Sequence, residues 1–205
     1  MDGNLLKPAL PKSLYFRIEE DVVKLHIELD LELPVDPYLV TRKLGFIVRR
    51  FSEINNTEAL NILKTGPDES RDGLSYRDPD LDTFVIWIND LDSTYEPRLN
   101  FTIMHEIGHI RMGHRGDSPL AEMIANYYAA YALVPSPLPA LLKCNSFIDI
   151  SDGFNVSMDC AYNCSKRCMN WALYGGPIKP YEQRLKEYYQ KKLNQIGGDE
   201  NEGIL

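Results

Sequence analysis

The chain has 205 residues, of which 44% are apolar and 25% charged, and a net charge of -8. That balance fits one globular domain with appendages and excludes wholesale disorder. It also speaks against nucleic acid as the main partner, because binding phosphates needs concentrated Lys and Arg.

No apolar run reaches the roughly eighteen residues that a membrane span needs. The opening MDGNLLKPAL lacks the apolar centre of a secretory signal, so the expected address is the cytoplasm. Residues 1–13, with Pro8 and Pro11, are expected to form an arm. Leu14, Ile18, Val22, Leu25 and Leu29 then recur at helical spacing and predict a helix over Tyr15 to Leu31. Pro34-Val35-Asp36-Pro37 interrupts the chain and opens a short helix, Tyr38 to Lys43, with Asp36 as cap and Gly45 as stop. Phe46 to Phe51 reads as a strand. Leu74 to Arg77 and Thr83 to Ile88 read as two more, separated by the turn residues Asp78-Pro79-Asp80.

Helices follow. Asn100 is the expected cap of a helix over Phe101 to His114, which ends near Gly113 and Gly116. Ser118 and Pro119 open another that runs to about Val134, where Pro135, Pro137 and Pro139 stop it. Ser157 caps a third, to Tyr174. Pro180 to Gln195 is rich in Lys, Glu, Tyr and Gln and predicts an exposed helix, whose docking on the domain itself is the plainer alternative to docking on a partner. Gly197 to Gly203 is expected to be disordered. The order of helix, small sheet and helices gives an α+β fold class, with a domain at 14–178 and the helix and acidic tail at 179–205.

His105-Glu106-Ile107-Gly108-His109 carries the chemistry. Four residues of helix return nearly to the same face, so both imidazoles can share one ion. Glu106 lies beside them, where it can take a proton from water that the ion activates. Zinc suits such a site because it polarises a carbonyl without redox side reactions. A catalytic zinc needs a third protein ligand. The extended pattern with a third His is absent, since Met112 and Arg115 stand where Gly and His would be. His114 lies about 140° around an ideal helix from His109 and is not expected on the same ion. Glu122, near the start of the next helix, is the best candidate, with Asp117 in reserve. Ala125, Asn126, Ala129 and Leu133 share its face, and Asn126 is placed to hold a ligand from behind.

FTIMHEIGHIRMGH followed by EMIANYYAAYALVP resembles the ImmA/IrrE family of bacterial metallopeptidases. PVDPYLVTRKLGFIV, IWINDLDSTYEPRLNFT and FNVSMDCAYN are similar to other parts of that family, so the resemblance spans about Leu31 to Trp171. It implies a compact zincin-like fold, with a small β-sheet against the HExxH helix. It also implies zinc on His105, His109 and Glu122, with Glu106 as general base. The implied partner is a protein substrate, a helix-turn-helix repressor of a mobile element such as a prophage, or of a stress regulon. Tyr127, Tyr128 and Ile124 depart from the family pattern. The rival expectation is a zinc-containing module that controls its repressor by contact alone.

Cys160, Cys164 and Cys168 lie four apart and form a stripe on one helix face. Metal sites favour CxxC, so these thiols, like Cys144, are expected to be reduced core residues.

Overall fold

The Leu14–Leu29 stripe folds as helix α1 (Lys12–Glu28), which buries Ile18, Val22 and Leu25. The computed structural model describes residues 10–64, 71–116, 118–174 and 178–199. Most of the expected arm therefore lies outside the described residues, although Leu10 is buried. Helix α2 (Pro37–Leu44) starts on Asp36, whose Oδ1 accepts from Tyr38 N at 2.8 Å, and ends on Gly45 at a left-handed φ of 74°.

Strand β1 (Ile47–Arg50) is shorter than the predicted strand, because the chain turns into a 3-10 segment that buries Phe51. A short helix α3 (Thr57–Lys64), not expected from the pattern, follows. Strands β2 (Gly73–Asp78) and β3 (Thr83–Ile88) pair antiparallel, and β3 pairs parallel with β1, giving the order β1-β3-β2. Central β3 is the apolar strand, with Val85, Ile86 and Ile88 buried.

Helix α4 (Glu96–Met112) begins a turn earlier than predicted. Pro97 suits a first helical turn, where its missing N–H costs nothing, so Asn100 is buried inside the helix and does not cap it. Helix α5 (Pro119–Leu133) starts as expected on Ser118, whose Oγ accepts from Ala121 N at 3.1 Å. The prolines after it admit two short helices, α6 (Leu138–Leu141) and α7 (Phe147–Phe154), the latter opened by a reciprocal Ser146–Asp149 cap. Helix α8 (Met158–Tyr174) begins after Ser157, and α9 (Pro180–Asp199) closes the described chain.

The sheet packs on α4, α4 on α5, and α5 on α1, so α4 is covered on both sides. The expected exposed C-terminal helix buries one face: Leu185 and Tyr189 are enclosed where α9 docks on α1. Tyr189 donates to His26 Nδ1 at 2.8 Å, and His26 Nε2 donates to Ala132 O at 2.9 Å. Helix α9 continues through Gly197–Asp199, where disorder was expected, and the rest of that acidic segment lies outside the described residues. Cys164 is buried with its Sγ 3.7 Å from Ala130 O, and Cys160 Sγ lies 3.9 Å from it; all four cysteines are free. No helix among the described residues is long and apolar enough to cross a membrane.

Candidate metal centre

Two neighbouring helices build the site because small residues line their seam and let them pack closely. A Cβ on Gly108 would lie 2.9 Å from Tyr128 Cβ, closer than real Cβ atoms come. Ala125 and Ala129 of α5 are fully buried. Close approach brings the polar residues at the helix edges within reach of one another. His109 meets Glu122, while His105, a turn back on α4, meets Asn126, a turn forward on α5. That crossed register is what an antiparallel hairpin produces.

His105, His109 and Glu122 converge. The two Nε2 atoms are 2.9 Å apart, and the Glu122 carboxylate oxygens stand 3.2 Å from His105 Nε2 and 3.3 Å from His109 Nε2. A tetrahedral ion with bonds of about 2.0–2.1 Å needs ligand atoms about 3.3 Å apart, so the spacing and the two-nitrogen, one-oxygen donor set fit zinc. Among the described residues this is the one group of three metal-ligating side chains whose atoms come together. Asp117, the reserve candidate, lies outside them.

The imidazoles are nearly enclosed, with 14% and 12% of the His105 and His109 side chains exposed, whereas Glu122 keeps 43%. Burial lowers the His105 pKa and outweighs the attraction of Glu122, so the ring is held neutral, as a ligand must be. Its far nitrogen is also fixed. Asn126 Oδ1 lies 3.1 Å from His105 Nδ1, and a carbonyl oxygen there puts the proton on Nδ1 and leaves the Nε2 lone pair facing His109 and Glu122.

Glu106 is on the next face of α4, toward the sheet, and is buried. Ser75 of β2 donates its hydroxyl to Glu106 Oε2 at 2.7 Å. Strand β2 passes so close that a Cβ on Gly73 would sit 2.6 Å from Thr102 Cγ2 and 3.4 Å from Glu106 Oε1. Glycine at 73 thus admits the strand beside the carboxylate. Neither Ser75 nor Gly73 carries a local signal, since both matter only through a contact about thirty residues away in sequence.

The three α5 tyrosines point away from the site. Tyr127 donates to Glu19 at 2.6 Å, Tyr128 donates to Asp21 at 3.0 Å, and Tyr131 is buried. Arg98, one turn before Thr102 on α4, pairs with Asp72 at 2.5 Å, and Tyr76 lies partly exposed on β2.

Residues 60–162, half of the chain, match the family model for the IrrE N-terminal-like domain of the M78 peptidases. The match includes both site helices, β2 and β3. No curated protein matches the chain.

Proposed function

From the premise that this chain belongs to the IrrE N-terminal-like peptidase family, we propose that it is a zinc-dependent endopeptidase acting on a helix-turn-helix repressor. The observation that carries the reading is the meeting of His105, His109 and Glu122 beside a buried Glu106. A zinc ion held there would polarise the scissile carbonyl and make water acidic enough to lose a proton near neutral pH. Glu106 takes that proton and returns it to the leaving amine. Ser75 holds Oε2 of the carboxylate, so the base does not swing when the proton moves.

The substrate path is suggested by the sheet. Among the described residues, β2 is paired on one edge only, and Asn89 N donates to Asp72 O, which fixes the alternation along the strand. The backbone N–H and C=O groups of Gly73, Ser75 and Arg77 therefore face away from β3. An extended peptide laid along that edge would pass Glu106, in the manner of an added strand. The acidic charge of the chain favours a basic partner, which a DNA-binding repressor is. Cleavage in place of mere contact is favoured by the oriented carboxylate, for which a binding module has no use.

The test is incubation of zinc-loaded protein with purified helix-turn-helix repressors from the same source, with intact-mass detection of fragments. Two fragments from one repressor, absent with Glu106→Gln protein, support the reading. Capture of a repressor that stays uncut would favour regulation by contact.

A further inference from the structure

We infer that His114 is a positioning residue for the metal centre: it holds His109 in the tautomer and orientation that present Nε2 to the ion. The inference rests on the zinc reading above. The residue lies outside helix α4, so its place follows from how that helix ends. Gly113 adopts a left-handed φ of 73°, and its N–H bonds to Ile110 O at 3.1 Å while His114 N–H bonds to His109 O at 3.0 Å. These are the two crossed bonds of a Schellman stop, in which the second residue past the helix returns over the residue three positions inside its end. Here those two residues are His114 and His109. Their rings meet edge to face, 5.0 Å between centroids at 77°, and the two Nδ1 atoms are 3.0 Å apart.

A hydrogen bond of that length needs one donor and one acceptor. His109 that gives its Nε2 lone pair to a cation carries its proton on Nδ1, so His114 Nδ1 must accept. The second histidine is thereby supported as the first is: Asn126 Oδ1 stands behind His105 Nδ1, and His114 Nδ1 stands behind His109 Nδ1. Each ligand ring has one nitrogen toward the ion and the other on an acceptor, the arrangement that fixes ring orientation in metal sites. His114 itself does not join the three converging groups, which places it behind the ligands.

The experiment is zinc affinity by chelator competition on wild-type, His114→Ala and His114→Asn protein, with thermal melts of the metal-free chains. Asparagine can place an acceptor oxygen where Nδ1 was; alanine cannot. The expected result is affinity about 10–100-fold weaker in His114→Ala, most of it recovered in His114→Asn, and metal-free melts unchanged. Cobalt-substituted His114→Ala should keep the visible spectrum of the wild type, because the ligands themselves are unaltered. A changed spectrum would make His114 a ligand and overturn the inference, as would an unchanged zinc constant in His114→Ala. Wild-type protein that takes up no zinc would instead overturn the metal reading on which the inference stands.

Discussion

Helix α5 has two polar faces that obey opposite rules. Toward α1, donors meet acceptors: Tyr127 donates to Glu19, Tyr128 donates to Asp21, and Arg111 of α4 makes two bonds to the same Asp21 at 2.6 and 2.8 Å. Toward the HExxH face of α4, the Glu122 carboxylate and the two Nε2 atoms stand within 3.3 Å of one another, and on the zinc reading proposed above acceptors there meet acceptors. The first face satisfies itself and holds the hairpin in place. On that reading a cation completes the second. Matched partners mark a framework; converging like partners mark a site.

The largest effect that sharpens this contrast is functional. Glu106→Gln keeps both histidines and Glu122, so it should retain zinc while turnover falls about 10²–10⁴-fold. Zinc loss in that variant would show that Glu106 belongs to the converging group.

On the framework face, Asp21→Ala leaves Arg111 and the Tyr128 hydroxyl without their carboxylate. A loss of about 3 kcal/mol in a urea melt is expected, with zinc stoichiometry kept in whatever remains folded. Unchanged stability would remove the network from the framework.

The buried His26 gives the framework a pH signature. Burial is the larger influence and its bond to Ala132 opposes it, so the ring pKa falls from 6.5 to about 4. A lowered folded pKa means that the unfolded chain takes up the proton first. The stabilisation is therefore whole above pH 6.5 and is lost as pH falls toward 4, by up to about 3 kcal/mol. The difference in urea midpoint between wild type and His26→Gln, followed from pH 7 to 4, should shrink accordingly. A constant difference would contradict it.

Gly108→Ala tests the seam between the two faces. Its Cβ would collide with Tyr128 Cβ, so the helices must part at a cost of about 1–3 kcal/mol, and zinc affinity should weaken in parallel. Lower stability with full zinc affinity would show that the site tolerates a wider hairpin.

What could be read from sequence follows the same division. Asp36 and Gly45 bound α2 because caps act within a few residues, and His105 and His109 share a face because helix geometry is periodic. Glu122 was reachable since the next helix follows a short turn. His114 was not expected beside the ion and does stay outside the converging group, but its place behind His109 comes from the chain doubling back at Gly113, which ideal-helix angles do not describe. Ser75 and Gly73 were out of reach, since a strand that lands beside Glu106 does so by tertiary packing alone. Helices α3, α6 and α7 are too short for periodicity to announce.

The most direct test of the converging-acceptor centre is metal content of purified wild-type, His109→Ala, Glu122→Ala and Tyr128→Phe protein after equal exposure to zinc. About one zinc per chain in the wild type and in Tyr128→Phe, with little or none in the other two, is the predicted result. Equal zinc in all four, or none in the wild type, would contradict it.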